Sequence, residues 1–466
     1  MSPADHPGTD APAARTAPFA PYAPSPQTSL LTDRYELTML QAALADGTAD
    51  RHCLFEVFTR RLPAGRRYGV LAGTGRVLES LATFRFTDLE LAWLQEARVV
   101  DDRTLDYLAG YRFTGSVTGY AEGDVFFPQS PVMVVEGTFA EAVLLETLVL
   151  SILNYDSAVA SAASRMTSAA VDRPCLEMGS RRASELAAVA AARAAAVAGF
   201  AGTSNLEAGR RYGIETIGTA AHAFTLLHDD EQSAFAAQVA SLGVGTTLLV
   251  DTYDVRRGVE NAIAAAGTGL GAVRLDSGDL GIQAVEVRKQ LDGLGATGTR
   301  ITVTSDLDEY AIAALAAAPV DAYGVGTSLV TGSGAPTCGM VYKLVARSDA
   351  EGVLQSVAKA STLKTSTGGR KAAARQYGED GRALAEVLVT GPDDVVAAWE
   401  PGDDEDLRPL HVPLVVDGAV DSRWIGAYGV HNAARRHAEA RAELPRGARR
   451  LSAGDPALPT VTRTLD

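Results

Sequence analysis

Cysteine, aromatic side chains and positive charge are all scarce in this chain. Its 466 residues include three cysteines and 6% aromatic residues, with 42 lysines and arginines against 57 aspartates and glutamates. Three widely spaced cysteines offer neither a disulfide framework nor a metal knuckle, and this favours a reducing, cytoplasmic location. The net charge of −15 argues against a nucleic-acid partner, because binding phosphates requires a basic face.

Long apolar runs are also missing. No uninterrupted apolar stretch is long enough to cross a bilayer, and the first residues lack the basic and apolar segments of a signal peptide. We therefore expect no membrane partner. Hydrophobic residues nevertheless make up 47% of the chain, so a large core is possible, and the length predicts two or three domains.

Changes of composition along the chain predict four regions. The first residues are rich in Pro, Ala, Ser and Thr without periodicity, which is typical of disorder. A mixed region follows the tail. After it come Ala-rich helical patterns and alternating strands and helices, and the last region has short strands among Gly, Asp and Arg. The predicted regions are a disordered tail at 1–27, an α+β region at 28–135, an α/β barrel with the active site at 136–343, and a β-rich region at 344–466 that packs with the N-terminal one.

Alternating strands and helices define the fold class of the central region. Strands are predicted near 199–203, 214–218, 246–251, 271–276, 300–304 and 320–325, and most are followed by a helical pattern. This spacing indicates βα units and a parallel sheet. Because no Gly-x-Gly-x-x-Gly fingerprint is correctly placed, we expect an α/β fold with an incomplete or irregular TIM-like barrel. An α+β domain built from the N- and C-terminal segments would accompany it.

The stretch Ile217–Leu227 is the centre of the predicted site. It follows a strand pattern with a Gly-interrupted turn and then an apolar run, which predicts a strand, a tight turn and a helix. His222 would begin that helix, where free N–H groups and the helix dipole favour an anion. A half-buried histidine without function is the alternative for this residue alone.

Polar clusters recur where the predicted strands end, which is where catalytic groups sit in parallel α/β barrels. Taken singly, Ser305 and Asp306, or Ser277 and Asp279, can be explained as helix caps. Seven clusters at one edge are harder to explain by structure alone. They are 177–182, 202–205, 218–222, 251–254, 274–279, 304–308 and 324–328.

The residue types in these clusters indicate an anionic ligand. Gly326 and Thr327 belong to a small-residue segment typical of phosphate binding. Arg181 and Arg274 can each hold a phosphate or carboxylate in a bidentate fork. Asp251, Asp276 and Asp279 add negative charge that would repel an anionic ligand. Mg²⁺ held between these carboxylates and the substrate phosphates would compensate for that repulsion.

Together these motifs resemble the nicotinate phosphoribosyltransferase family. The resemblance runs from about Leu30 to Lys343 and more loosely to about residue 390. Its specificity comes from the order of motifs that would each be weak alone. They are Leu31-Thr-Asp-x-Tyr-Glu-Leu37, Gly202-Thr-Ser-Asn205, Gly218-Thr-x-Ala-His222, Val273-Arg-Leu-Asp-Ser-Gly-Asp-Leu280, Tyr323-Gly-Val-Gly-Thr-Ser328 and Val341-Tyr-Lys-Leu344.

The resemblance implies an activity and a set of roles. The family makes nicotinate mononucleotide and pyrophosphate from nicotinate and phosphoribosyl pyrophosphate, and it couples this to ATP through a phosphorylated histidine, here His222. Asp276 and Arg274 would act with it in catalysis. The residues implied in substrate binding are Tyr35, Thr219 and Arg274 for nicotinate, with Tyr35 supplied by the other subunit of a homodimer, Gly326 and Thr327 for the phosphoribosyl donor, and Arg181, Ser204, Asn205, Asp251, Ser305 and Asp306 around them.

Three alternatives remain open at this point. A nicotinamide- or quinolinate-using relative is the nearest, although Arg274 with Ser204 and Asn205 favours nicotinate, because an aspartate at position 204 would suit the amide. A non-catalytic nucleotide-binding barrel is the second. A phosphate-binding aldolase or isomerase barrel is the third, but the clusters contain no lysine for a Schiff base. The groups that bind Mg²⁺ are not identified.

Overall fold

A computed structural model describes residues 28–359, 367–402 and 406–466. The predicted tail at 1–27 lies outside these residues. The α-helices are α1 Arg34–Asp46, α2 Thr74–Thr83, α3 Asp88–Glu96, α4 Asp102–Gly110, α5 Phe139–Val143, α6 Glu146–Ala170, α7 Glu185–Val197, α8 Leu206–Tyr212, α9 His222–Leu227, α10 Glu231–Leu242, α11 Val255–Ala266, α12 Leu280–Gly293, α13 Glu309–Ala314, α14 Thr327–Val330, α15 Asp393–Ala397 and α16 Gly426–Glu443.

The strands belong to four sheets. They are β1 His52–Thr59, β2 Gly69–Val70, β3 Ser116–Tyr120, β4 Val125–Phe126, β5 Met133–Thr138, β6 Cys175–Glu177, β7 Gly202–Thr203, β8 Thr247–Leu249, β9 Ala272–Leu275, β10 Arg300–Val303, β11 Ala322–Val325, β12 Met340–Ser348, β13 Leu354–Ser356, β14 Ala372–Tyr377, β15 Ala383–Thr390, β16 Leu407–Pro409, β17 His411–Val416, β18 Ala419–Val420 and β19 Thr460–Thr464.

The largest sheet combines strands from both ends of the chain. Its order is β13-β12-β1-β5-β3-β17-β18, and all neighbours are antiparallel. The core beneath it includes Leu40, Val57 and Tyr342, and α1 buries its apolar face there. Strands β14, β15, β16 and β19 form a separate four-stranded sheet, and β2 pairs with β4. Non-local pairing of β1 with β12 thus ties the two terminal segments together.

The central region forms a curled parallel half-barrel sheet. The prediction of a parallel α/β arrangement is therefore confirmed. Its six strands are all parallel, in the order β7-β6-β11-β10-β9-β8. Branched side chains such as Val273, Ile301 and Val325 fill its core. This order follows the chain around a ring except between β7 and β8, where the described strands are not paired.

The predicted strand at 214–218 is wrong, apart from one bridge between Thr203 and Thr216. Gly213 ends α8 in a left-handed conformation with φ 65°, and most of the following residues are at least partly exposed, so little burial supports a ladder. By contrast, the helices predicted at 222–227 and 255–266 are confirmed to the residue. The three-residue strand β6 had no predicted counterpart.

Helix α6 joins the two cores. It is 25 residues long, about 38 Å at 1.5 Å per residue. Leu153 packs into the core of the large antiparallel sheet, whereas Val159 and Met166 pack into the half-barrel core. In the described part of the chain, no helix combines the length and apolarity needed to cross a membrane.

Candidate active site at the carboxyl ends of the parallel strands

The carboxyl ends of the six parallel strands meet at one edge of the half-barrel sheet, which we call the mouth. Each strand is followed there by one of the polar clusters predicted from the sequence. Parallel α/β architectures bind ligands at this edge because the loops after the strands converge on it. The seventh cluster, at 218–222, follows none of the six strands but makes direct or near contacts with the clusters that contain Asp251 and Arg274.

His222 is the first residue of α9, after Ala221 in an extended conformation. Its Nδ1 lies 3.1 Å from Oγ1 of Thr252, and its Nε2 lies 4.0 Å from Oδ2 of Asp276. The side chains of His222 and Asp276 are 40% and 39% exposed, so the imidazole is held at its edge but remains accessible. A histidine in this setting can act as a nucleophile toward a ligand in the mouth.

Arg274, on β9, contacts the segment that precedes α9. Its Nη1 donates a 2.6 Å hydrogen bond to Oγ1 of Thr219, and its Nη2 lies 4.0 Å from Oδ1 of Asp276. Its Nε is buried and has no hydrogen-bond partner. Burial lowers the pKa of this guanidinium, and the opposing effect of Asp276 and Asp251 does not cancel that. Arg274 therefore retains donor capacity for an anionic ligand.

Asp251 follows β8 and turns towards the end of β9. Its Oδ2 accepts hydrogen bonds from the backbone N–H of Asp276 at 2.8 Å and from Oγ of Ser277 at 2.9 Å. Its Oδ1 is buried without a partner. An orphaned carboxylate oxygen is costly unless a ligand hydroxyl, a water or a cation satisfies it. Asp251 thus both fixes the Asp276 loop and offers one free oxygen.

The loop after β10 is held in an unusual conformation. Oγ1 of Thr304 donates to Oδ1 of Asp276, and Ser305 has φ 137°, a value that non-glycine residues rarely adopt. The helix cap proposed for Ser305 or Asp306 is provided by Asp308 instead, whose side chain accepts from the N–H groups of Tyr310 and Ala311. Asp279 does cap its helix, α12. Ser305 and Asp306 are exposed at the mouth, where strain in the Ser305 backbone marks a functional candidate.

Gly326 and Thr327 lie at the start of α14, with Thr327 exposed. The neighbouring segments approach closely: a Cβ on Gly324 would lie 2.5 Å from Cγ2 of Thr304, and one on Gly179 would lie 2.2 Å from Cγ1 of Val330. Backbone approaches of this kind require glycine. The loop after β6 and the loop after β11 therefore lie close to their neighbours at the mouth, with no room for a side chain at Gly179 or Gly324.

Asn205 and Ser204 follow β7. The Asn205 side chain caps α8 by accepting from the N–H of Ala208 at 2.9 Å, and its Nδ2 donates to Oγ of Ser180 at 3.0 Å. Ser204 and Arg181 are exposed beside it. Asn205 thus has a structural task here, whereas Ser204 and Arg181 are free to face a ligand.

Three residues of the predicted clusters contribute to the site although the sequence assigned them no role. Glu177 is fully buried at the end of β6, where it accepts hydrogen bonds from the N–H of Gly179 and from Oγ1 of Thr203. Thr252 and Thr304 contact His222 and Asp276, as described above. All three lie inside the predicted strand-end clusters, so the clusters located them, but only the fold shows which partner each one contacts.

Tyr35 is separate from this group. It lies on α1 in the N-terminal region, 43% exposed, and burial together with nearby Glu146 raises its pKa. Among the described contacts of the single chain, none joins Tyr35 to His222 or Arg274. Met39, 36% exposed, lies one turn further along the same helix, and Leu31, 65% exposed, lies just before the helix begins.

An accessible histidine and a mostly buried arginine beside the carboxyl ends of parallel strands are typical of an α/β enzyme, and comparisons with known proteins show the family. The nicotinate phosphoribosyltransferase N-terminal domain profile matches residues 30–154, and the nicotinate phosphoribosyltransferase family profile matches residues 174–376. The chain belongs to the nicotinate phosphoribosyltransferase family.

Similar proteins support this assignment over most of the chain. A nicotinate phosphoribosyltransferase of Mycobacterium tuberculosis is 55% identical over 442 residues, covering 93% of this chain and 95% of that protein. The Bacillus subtilis nicotinate phosphoribosyltransferase is 40% identical over 354 residues, covering 74% and 72%. The crystal structure of human nicotinic acid phosphoribosyltransferase superposes with a TM-score of 0.77 at 26% identity, covering 93% and 98%.

Proposed function

We propose that this protein transfers the phosphoribosyl group of phosphoribosyl pyrophosphate to nicotinate, giving nicotinate mononucleotide and pyrophosphate for NAD salvage. The observation that carries the proposal is the grouping of Arg274, Thr219, His222 and Asp276 at the mouth. It is supported by family membership and by 55% identity to a named nicotinate phosphoribosyltransferase.

Arg274 and Thr219 are the proposed carboxylate site. The guanidinium, held at 2.6 Å from the Thr219 hydroxyl, presents donors that match a carboxylate in charge and geometry. The acceptor atom is the pyridine nitrogen, which already carries a free lone pair and needs no general base. Binding the carboxylate therefore orients the nitrogen towards the sugar.

In the transfer step, the pyridine nitrogen forms a bond to C1 of the ribose as the bond from C1 to the pyrophosphate oxygen breaks. Pyrophosphate leaves with that electron pair, so positive charge develops on the sugar and negative charge on the leaving group. We assign stabilisation of the first charge to Asp276 and of the second to Arg181 with the N–H groups at Gly326 and Thr327, all of which lie at the ends of the parallel strands.

Mg²⁺ is the metal ion that we propose for this donor set. Asp251 and Asp276 provide two carboxylates, one with an orphaned oxygen. Within the described residues, no three His, Cys, Asp or Glu side chains cluster as a complete metal site, so the remaining ligands would come from substrate phosphates or water. When bound, the ion supplies charge neutralisation to the leaving pyrophosphate.

His222 is the proposed site of phosphorylation by ATP. Its exposed ring at the start of α9 is open to a phosphoryl donor, and Thr252 fixes its orientation. In this step a ring nitrogen attacks the γ-phosphorus of ATP, and ADP leaves. Hydrolysis of the phosphohistidine then couples ATP to the transfer.

We propose a homodimer with shared active sites in the cytoplasm. Leu31, Tyr35 and Met39 are large apolar or aromatic side chains that are exposed in the single chain, and exposed groups of this kind often mark an interface with another protein. A second copy covering these residues would bring Tyr35 to the partner's nicotinate site.

We interpret the half-barrel as an irregular TIM-like barrel, in which the segment at Thr216 pairs with Thr203 of β7 at the open side of the sheet.

The test is incubation of the purified protein with phosphoribosyl pyrophosphate, Mg²⁺ and either nicotinate or nicotinamide, with and without ATP. We expect nicotinate mononucleotide by mass spectrometry, with ATP stimulating the wild type but not His222→Ala. Product from nicotinamide alone would reassign the substrate. Absence of product from either base would leave a non-catalytic nucleotide-binding protein.

A further inference from the structure

A buried ionic cluster lies behind the mouth, outside the residues assigned above. Glu309, at the start of α13, accepts hydrogen bonds from Nε of Arg165 at 2.8 Å and from Oγ of Ser333 at 2.6 Å. Its Oε1 also lies 3.4 Å from Nη1 of Arg66. All three charged side chains are less than one-tenth exposed. Removing one partner would leave a buried charge uncompensated, so this arrangement is costly to break. We call the cluster of Glu309, Arg165, Arg66 and Ser333 the junction.

The cluster holds the turn that follows α14. Arg66 donates through Nη2 to the carbonyl of Gly332 at 2.6 Å, and the N–H of Ser333 donates to the carbonyl of Ser328 at 2.6 Å. Ser333 has φ 50°, so its backbone is in the left-handed region where a non-glycine residue needs external support. Its hydroxyl bond to Glu309 supplies that support.

The same carboxylate also belongs to the β10–α13 loop. Glu309 follows Asp306 by three residues, and the strained Ser305 precedes both. The Glu309 side chain therefore links the loop of Ser305 and Asp306 to the far end of α14, the four-residue helix that the loop of Gly326 and Thr327 leads into. Arg165 secures it from α6, where its Nη2 donates to the hydroxyl of Tyr310 at 3.1 Å and the carbonyl of Leu451 at 2.9 Å.

We propose that Glu309 is a positioning residue which, through Ser333 and Arg66, holds these two loops in the arrangement that binds phosphoribosyl pyrophosphate. This inference rests on the proposed function, because it assigns the donor's phosphates to those loops. It predicts a split effect: loss of the junction weakens binding of the donor but not of nicotinate, whose carboxylate meets Arg274 on β9.

The experiment compares full-length wild type with Glu309→Gln, Ser333→Ala and Ser333→Gly. We expect all three variants to raise KM for phosphoribosyl pyrophosphate about tenfold, equal to 1.4 kcal/mol, with KM for nicotinate unchanged within about twofold. Ser333→Gly relieves the backbone strain but loses the hydroxyl. An effect of Ser333→Ala without one of Ser333→Gly would therefore assign the role to strain and overturn the proposal.

The matched control is Glu386→Gln, another fully buried glutamate paired with an arginine but in the four-stranded sheet. It should lower the unfolding midpoint without changing either KM. Equal changes in both KM values, or none in the Glu309 and Ser333 variants, would contradict the proposal.

Calorimetric titration with phosphoribosyl pyrophosphate separates this inference from the proposed function. Wild type that binds the donor but forms no nicotinate product, with variants that bind about tenfold more weakly, would retain the positioning role and reject the activity. Wild type that does not bind the donor would overturn both.

Discussion

Two arginines in this molecule face two carboxylates each, yet they have opposite surroundings. Arg375 lies 3.0 Å from Asp124 and 2.5 Å from Glu386, and all three side chains are completely buried. Arg274 lies 4.0 Å from Asp276, whose side chain is 39% exposed. Nε lacks a hydrogen-bond partner in both arginines, so the difference between them lies in the distance and the exposure of their carboxylates. We call the buried set around Arg375 the closed group and the set around Arg274 the open group.

The pKa shifts of the two arginines differ in the same way. Burial alone lowers the pKa of a guanidinium, but around Arg375 the charges of Glu386 and Asp124 outweigh it and the pKa is raised. Around Arg274, burial outweighs the more distant Asp276 and Asp251, and the pKa is lowered. A desolvated arginine with distant counter-charges gains most from an incoming carboxylate.

The largest expected effect is on stability, in the closed group. Arg375→Met should lower the free energy of unfolding by about 3–5 kcal/mol, because Asp124 and Glu386 would remain buried with fewer partners. Denaturant unfolding measures this, and the folded fraction should keep its KM for nicotinate. A loss below about 1 kcal/mol would show that the closed group is not what holds these elements together.

A pH dependence should come from another buried group. Burial lowers the pKa of His437 to about 4, below its usual 6.5. As pH falls from 6.5 to about 4, the unfolded chain takes up a proton that the native His437 does not, so stability falls by up to about 3 kcal/mol.

The measurement is the free energy of unfolding against pH for wild type and His437→Gln. The difference between the two curves should change through this window and be constant above about pH 7. A constant difference down to pH 4 would mean that His437 titrates normally in the folded protein.

At the mouth, we expect a substitution to weaken ligand binding rather than to lower the stability of the fold. Arg274→Gln should raise KM for nicotinate about 100-fold, because a hydrogen bond to a charged group contributes about 1.5–3 kcal/mol, while the unfolding midpoint stays close to that of wild type. Arg274→Lys is the control that keeps the charge and loses the fork. If both variants unfold like Arg375→Met and bind nicotinate normally, the two groups are not distinct.

The smallest effect is expected at Thr252. Thr252→Val removes the hydroxyl that lies 3.1 Å from Nδ1 of His222 and should reduce ATP stimulation by only a few-fold, since His222 itself remains. Thr252→Ser should restore it. Rates of product formation with and without ATP measure this. Equal stimulation in all three proteins would show that the Thr252 hydroxyl does not orient His222.

Local patterns predicted much of the central fold. The apolar spacing and the cap at Asp254 define helix Val255–Ala266, and the strands from β8 to β11 fall within the predicted segments. The strand at 214–218 was predicted wrongly because propensity cannot show that a segment lies at an exposed sheet edge. Strand β6 spans only three residues, too few for an alternation to register.

The site was predicted as a set of clusters rather than as contacts. The sequence places Asp251 and His222 at strand ends, but Thr252 meets His222 only through tertiary structure, across 30 positions. The closed group around Arg375 was not predicted at all, because charged residues are normally exposed and nothing local marks their burial. The position of Tyr35 relative to the mouth remains a prediction, since it requires a second chain.

We propose that the open group, which includes His222 beside Asp276, accepts a phosphoryl group and that the closed group does not, and this can be measured directly. Intact-mass measurement after incubation with ATP and Mg²⁺ should show one added phosphoryl group on wild type and on Glu386→Gln, and none on His222→Ala. Phosphorylation of His222→Ala, or its absence from wild type, would contradict the assignment of His222 and the coupling built on it.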